Sequence, residues 1–86
     1  MSRDLYFPTQ AAKLSWYRLM LALEQSPSEE TVEFHTSRAW SYANALYDVE
    51  LLDFDEYLSY SAAIKRAKAN ALQAIRGKQV KERLKL

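Results

Sequence analysis

Residues 26–48 read SPSEETVEFHTSRAWSYANALYD and carry the strongest helix signal in the chain. Ser26 is the predicted N-cap, Pro27 occupies the first helical position, and Glu29 completes a capping box. The predicted helix therefore covers residues 27–48. At 100° per residue its apolar positions fall on one arc, as in an amphipathic helix with one face in a core. This arc contains Val32, His35, Ala39, Tyr42, Ala43, Leu46 and Val49.

Two more helical segments flank this one. The first has Thr9 as its N-cap and covers residues 9–25. The third covers residues 54–76 and follows Asp53, which has Glu56 three residues later as its capping-box partner. The apolar stripe of the third segment contains Phe54, Tyr57, Leu58, Ser61, Ile64, Ala71, Leu72 and Ile75.

The composition favours a single all-α domain over residues 1–86. One glycine and two prolines in 86 residues provide too few turn residues for a many-stranded β fold. Gly77 is expected to end the third helix as a C′ residue, which leaves residues 77–86 as a basic C-terminal extension. Because the two helix connections are short, neighbouring helices are expected to be antiparallel. The sequence therefore predicts a small three-helix bundle with up-down-up topology.

Residue types exclude several classes of catalytic and metal site. The chain has no cysteine and one histidine, so it lacks a thiolate nucleophile and the usual ligand set of a zinc site. A single glycine cannot form a phosphate-binding loop. The acidic residues near position 50 lack the glycine and glutamate spacing of an EF-hand. We therefore expect no enzyme activity, no metal and no cofactor.

The single histidine, His35, lies on the apolar arc of the second helix. No serine or threonine is spaced to pair with it in a recognised catalytic motif. We expect a buried or half-buried ring that hydrogen-bonds to a tyrosine hydroxyl or to a backbone carbonyl.

The N-terminal residues and the hydropathy favour a cytoplasmic protein. No apolar segment with a small-residue cleavage site follows the N-terminus, so no secretory signal is predicted. The longest apolar runs fall far short of a membrane span, so no membrane association is expected.

The first helix has an unusually wide apolar surface. Its apolar residues are Ala12, Leu14, Trp16, Tyr17, Leu19, Met20, Leu21 and Leu23, and they occupy more than half of the circumference. Two neighbours in a small bundle cannot easily cover such a surface, because a helix that is apolar nearly all round is normally buried on several sides. Either this helix faces a partner, which includes a second copy of the chain, or the N-terminal arm or the C-terminal tail folds back over it.

Charge is segregated along the chain although the net charge is only +1. Residues 24–56 carry nine acidic side chains against Arg38 alone, whereas residues 57–86 carry eight basic side chains against Glu82. Helix dipoles explain part of this pattern, since carboxylates are favoured in first turns and basic groups in last turns. The two blocks could face each other within one molecule or between copies. Two functional alternatives are a basic tail that binds nucleic acid and an acidic face that mimics the charge of nucleic acid.

One aromatic residue breaks the pattern of its helix. Phe34 falls on the polar face of the second helix beside Arg38, and an exposed aromatic side chain is a common interface anchor. We therefore predict a binding face there, joined by the wide first helix and by the acidic block. The predicted partner-binding residues are Trp16, Met20, Phe34, Arg38, Glu33 and Asp48.

The combined pattern predicts a small helical adaptor, inhibitor or regulator that occupies a surface on a larger protein. Its size and composition resemble those of small accessory proteins of mobile genetic elements, which is an analogy only. Binding would act by steric block or by competition for a basic surface.

The alternative is a nucleic-acid-binding regulator that uses the basic C-terminal third and dimerises through the first helix. Its candidate residues are Lys65, Arg66, Lys68, Arg76, Lys78, Lys81, Arg83 and Lys85.

Overall fold

The computed structural model of the chain describes residues 5–84. Within this range the chain forms three helices and no strand: α1 (Gln10–Glu24), α2 (Glu29–Asp48) and α3 (Phe54–Leu84). Each helix packs against the other two. The predicted all-α, three-helix architecture is therefore confirmed. None of the helices in this part of the chain has both the length and the apolar character needed to cross a bilayer.

The predicted starts of α1 and α3 are confirmed by their caps. The Thr9 hydroxyl accepts a hydrogen bond from the Ala12 backbone N–H at 3.0 Å. Before α3, the Asp53 carboxylate accepts from the Glu56 N–H at 2.7 Å, and the Glu56 carboxylate accepts from the Asp53 N–H at 2.8 Å. This reciprocal capping box satisfies two backbone donors that the helix itself leaves unpaired.

The predicted start of α2 is wrong by two residues. The N-cap is Ser28, whose hydroxyl accepts from the Thr31 N–H at 3.3 Å, while the Ser28 N–H donates to the Thr31 hydroxyl at 3.1 Å. Ser26 is buried instead, and its hydroxyl donates to the Ala22 carbonyl at the end of α1. Pro27 and Glu29 consequently do not play the capping roles predicted for them.

The predicted end of α3 is also wrong. The helix does not stop before Gly77 but continues to Leu84. A glycine within a helix costs only about 1 kcal/mol relative to alanine, and good helix formers such as Lys78, Gln79 and Lys81 follow it. The predicted extension is therefore helical over its described part, and residues 85–86 lie outside the described residues.

The core consists of two clusters. The first contains Trp16, Leu19, Ala39, Ala43, Leu46, Leu52, Tyr60 and Ile64. The second contains Leu23, Val32, Ala67, Ala71 and Ile75. Met20 is half-buried and packs against both clusters, which joins them. Both α2 and α3 contribute a pair of buried alanines four residues apart. Because these side chains are small and lie on one face of each helix, large side chains from neighbouring elements fill the space beside them.

The predicted apolar faces are only partly correct. Val49 follows the last residue of α2 as its C-cap, and it is exposed together with Phe54 and Leu58. Tyr60 was not assigned to the stripe, yet it is fully buried and its ring centroid lies 4.6 Å from that of Trp16. A tyrosine tolerates this burial because its hydroxyl donates to a backbone carbonyl, that of Tyr6.

The N-terminal arm folds back over part of α1. Leu5 and Phe7 pack against the first cluster, and the Phe7 ring lies 5.8 Å from Tyr17 and 5.9 Å from Tyr60 between centroids. The arm therefore covers one side of α1, which is one of the alternatives that the sequence left open.

Burial of Tyr60 predicts that alkali destabilises the fold. Burial is the main cause that raises the pKa of the Tyr60 hydroxyl well above its usual value of 10.0, and nearby Tyr42 adds to the effect. A raised folded-state pKa stabilises the protein below the unfolded pKa, and this contribution is lost as the pH rises above about 10. We expect Tyr60→Phe to lower the free energy of unfolding by about 1 kcal/mol at neutral pH, because a hydrogen bond is lost. Between neutral pH and about pH 11, the free energy of unfolding should fall less in this variant than in the wild type. Urea unfolding at both pH values measures this, with exposed Tyr17→Phe as the control; equal alkaline losses in wild type and Tyr60→Phe would contradict it.

Candidate docking surface

The outward face of α1 carries three apolar side chains that the bundle leaves half exposed. Leu14, Tyr17 and Leu21 are 49%, 54% and 55% exposed. Their spacing of three and four residues places them on one side of the helix, opposite the buried Trp16 and Leu23. We call these three residues the α1 stripe. The wide apolar surface predicted for this helix is thus only partly covered in the described structure.

A groove runs between α1 and α2 beside this stripe. One part of it is an open depression of about 510 Å³ lined by Leu19, Phe34, Ser37, Arg38, Ser41 and Tyr42. A second part, of about 390 Å³, is lined by Ser15, Arg18, Leu19, Arg38 and Tyr42. The two parts share Leu19, Arg38 and Tyr42, so together they form one surface, which we call the α1–α2 groove.

Phe34 and Arg38 form the rim of the groove on α2. Phe34 is 60% exposed, and the Arg38 guanidinium carbon lies 5.8 Å from the centre of its ring. Residues four apart lie one above the other on a helix, so this cation–π contact follows directly from the sequence spacing. The prediction that Phe34 lies exposed beside Arg38 is confirmed.

The groove is positively charged. Arg18 and Arg38 both line it, and no carboxylate of residues 5–84 does. Among residues 5–84 the one ion pair joins Lys68 to Glu33 at 3.0 Å, so neither arginine is paired with a carboxylate of the described chain. A guanidinium presents several donors in a fixed planar arrangement that suits carboxylate or phosphate oxygens. The groove can therefore accept an anionic group next to an apolar side chain.

The hydroxyl groups of the groove are partly used in holding the helices. The Tyr42 hydroxyl donates to the Ala12 carbonyl at 3.2 Å and ties α2 to α1. The Ser41 hydroxyl donates to the Ser37 carbonyl at 3.0 Å. Tyr42 is thereby fixed as a wall of the groove, since its ring also packs against Trp16 with 6.3 Å between centroids.

Not all predicted partner-binding residues lie on this surface. Trp16 is 1% exposed because it fills the first cluster, so its assignment as a partner contact is wrong. Met20 lies half-buried between the two clusters. Glu33 is turned toward α3 by its ion pair, and Asp48 lies at the far end of α2. The structure therefore brings together only Phe34 and Arg38 from the predicted set.

Arg18 and the α1 stripe were missed as site residues. The apolar residues of the stripe were recognised as part of a wide surface, but their spacing alone does not show which of them a neighbouring helix covers. Arg18 gave no signal in the sequence, because a charged residue on a helix surface becomes part of a groove only once α2 is placed beside it.

His35 differs from its prediction. The residue is half-buried as expected, but its Nδ1 atom is buried without a hydrogen-bond partner among the described residues. The ring instead packs edge-on against Phe34, with 5.3 Å between centroids. Within residues 5–84 no cluster of histidine, aspartate and glutamate has the arrangement of a metal site.

The basic residues of the nucleic-acid alternative are spread along α3. Lys65 and Arg66 are exposed in its middle, whereas Lys68 is held by the ion pair to Glu33. The remaining described members, Arg76, Lys78, Lys81 and Arg83, are exposed in its last turns. Lys85 lies outside the described residues. At 100° per residue Lys65, Arg76 and Arg83 fall within about 20° of one another, whereas Lys78 lies about 140° away, so the cations are divided between two sides of the helix.

Comparison with protein-family models, curated proteins and solved structures finds no match to this chain.

Proposed function

We propose that this protein is a small interaction module that acts as an adaptor, inhibitor or regulator by binding a larger protein through the α1–α2 groove and the α1 stripe. The observation that carries the proposal is the exposed Phe34, stacked with Arg38 at the rim of an open groove that lies beside three half-exposed apolar side chains. Binding hot spots are enriched in aromatic residues and arginine, placed where surrounding contacts exclude water.

The proposed partner presents an acidic group beside an apolar side chain. Arg18 and Arg38 supply the positive charge, and Leu19 and Phe34 supply the apolar contacts. Charge complementarity of this kind mainly sets orientation and the rate of association, while apolar burial holds the complex. Such an interface would persist at high salt.

We also propose how the three helices are oriented relative to one another. The connections over residues 25–28 and 49–53 are short, which supports an up-down-up, antiparallel order of the helices. In this proposal the module acts in the cytoplasm and without catalysis, by occupying a surface of its partner.

A nucleic-acid-binding regulator is the second candidate. The observation that favours it is the exposed basic end of α3, which includes Lys78, Lys81 and Arg83. Phosphate contacts by such residues release counterions, so binding of this type weakens steeply as salt rises.

A tagged pull-down from lysate, with and without nuclease, at low and high salt, tests both candidates. The double variant Phe34→Ala/Arg38→Ala is compared with Gln73→Ala, an exposed position on α3. We expect a stoichiometric protein that survives nuclease and high salt, and an affinity for it, measured by calorimetry, that falls at least about 30-fold in the double variant. Unchanged affinity would contradict the proposal. Recovery of nucleic acid that is lost at high salt, and lost on deletion of residues 78–86, would support the second candidate.

A further inference from the structure

The last turns of α3 have no cover from the rest of the described chain. Every residue from Arg76 to Leu84 is exposed, including Val80 at 53% and Leu84 at 80%. An isolated helix of this length is marginal in water, because most helical stability in proteins comes from packing of an apolar face. We call residues 76–84 the terminal segment. It combines unburied apolar side chains with positive charge.

The opposite end of α3 has the complementary character. Around the α2–α3 connection the carboxylates of Asp48, Glu50, Asp53 and Asp55 are exposed. The same region exposes the apolar side chains Val49, Leu51, Phe54 and Leu58. A depression of about 500 Å³ lies among them, lined by Tyr47, Asp48, Glu50, Leu52 and Asp53. We call this region the acidic end.

The terminal segment and the acidic end cannot meet within one molecule. Asp55 and Lys81 lie on the same helix, about 40 Å apart at 1.5 Å per residue. The described part of the chain is 53 Å long and 27 Å wide, and the continuous α3 holds the two regions at opposite ends. Salt screens interactions beyond about 8–10 Å, so each region lacks its complement unless another molecule supplies it.

We propose that two copies of this chain associate side by side along α3 in antiparallel orientation, so that the terminal segment of each copy covers the acidic end of the other. A two-fold axis repeats the same contact twice and closes the assembly as a dimer. The interface leaves the α1–α2 groove exposed, so this inference goes beyond the proposed function and does not depend on it.

The exposed face of α3 suits this pairing. At 100° per residue one face carries Phe54, Leu58, Ala62, Lys65, Ala69, Arg76 and Val80, and all of them are exposed. If the two-fold axis passes at Ala69, Leu58 lies opposite Val80 of the second copy and Phe54 opposite Leu84. Ala69 and Ala62 are small, so the two helices can approach closely at the centre.

The same register matches the charges. Asp55 comes opposite Arg83 of the second copy, while Lys65 comes opposite the uncharged Gln73. The contact between Asp55 near the start of one α3 and Arg83 near the end of the other thus occurs twice. Glu56 and Glu82 come to the same level, but at 100° per residue both lie more than 100° from the centre of this face. Each helix dipole is also opposed by that of its neighbour. Association is therefore expected to weaken as salt is added, in contrast to binding at the α1–α2 groove.

Charge reversal in two separate variants tests the pairing. One variant carries Glu50→Lys and Asp55→Lys, and the other carries Lys81→Glu and Arg83→Glu. We expect the wild type to dimerise in low salt, each variant alone to associate at least about tenfold more weakly, and an equimolar mixture of the two to form a heterodimer. A chain with all four changes should dimerise again. Analytical ultracentrifugation from micromolar to millimolar concentration measures each state, with circular dichroism to verify that every variant is folded.

A disulfide probe tests the position of the axis. Because the chain has no cysteine, Ala69→Cys introduces a single thiol at the proposed two-fold axis. We expect it to form an intermolecular disulfide under mild oxidation much faster than Ala45→Cys, which places a thiol at an exposed position on α2.

Three outcomes would overturn the inference: a wild type that stays monomeric in low salt, a variant mixture that does not associate, and equal disulfide rates for the two cysteine variants. A monomeric wild type that binds a DNA duplex through the terminal segment would assign that segment to nucleic acid. If the dimer tests fail, the pull-down with Phe34→Ala/Arg38→Ala still tests the proposed function, since the two surfaces share no residue.

Discussion

The variant Trp16→Ala is expected to lose about 3–5 kcal/mol of unfolding free energy, a large part of the stability of a domain of this size. Trp16 is 1% exposed and lies at the centre of the first cluster. Its ring contacts Tyr60 at 4.6 Å and Tyr42 at 6.3 Å between centroids, so truncation opens a cavity that reaches all three helices.

Thermal unfolding followed by circular dichroism measures this loss. For a domain of this size the midpoint should fall by more than about 12 °C. Tyr17→Ala is the matched control, since it truncates the neighbouring aromatic side chain, which is half exposed. A Trp16→Ala midpoint as high as that of Tyr17→Ala would contradict the packing described for the first cluster.

The second large effect is expected at Leu23, which is completely buried in the second cluster. Leu23→Ala should cost about 2–5 kcal/mol, because the lost side chain leaves a space beside Val32 and Ala67 that the helices cannot close. The same substitution two residues earlier, Leu21→Ala, removes a half-exposed side chain and should change stability by no more than about 0.5 kcal/mol.

Urea unfolding of the two leucine variants gives a direct comparison, since the substitution and the helix are the same. Equal losses at both positions would mean that Leu21 is covered, which contradicts the exposure of the α1 stripe in the single chain. If the Leu21→Ala loss then depends on protein concentration, the cover is a second copy.

The starts of α1 and α3 were predictable from their caps. Thr9 was assigned correctly, and so was Asp53, which has Glu56 three residues later to complete a reciprocal capping box. Ser26 and Ser28 lie two residues apart and carry similar signals. The Ser26 hydroxyl is used instead to donate to the Ala22 carbonyl, four residues earlier at the end of α1, and the capping pattern does not reveal this use.

Gly77 shows a different limit of sequence reasoning. Glycine is typical of a helix end, but it ends a helix only when the chain adopts the left-handed conformation there, and in this structure no glycine has a positive φ. The strong helix formers on both sides decide the outcome.

The candidate docking surface could be predicted in part. Phe34 stood out because it breaks the polar pattern of its helix. Trp16 was misassigned because α1 is apolar on most sides, and periodicity gives no preference among its apolar residues. Burial of Trp16 and exposure of Tyr17 are decided by how α2, α3 and the N-terminal arm pack around α1.

The paired buried alanines of α2 and α3 have a consequence for how this chain can evolve. Ala39, Ala43, Ala67 and Ala71 are at most 4% exposed, and a larger side chain at any of them would force the helices apart. Surface residues of the groove face no such packing limit, so they can change without forcing the helices apart. Distant descendants of this sequence would therefore be recognised by small residues spaced four apart on two helices, even after overall identity had faded.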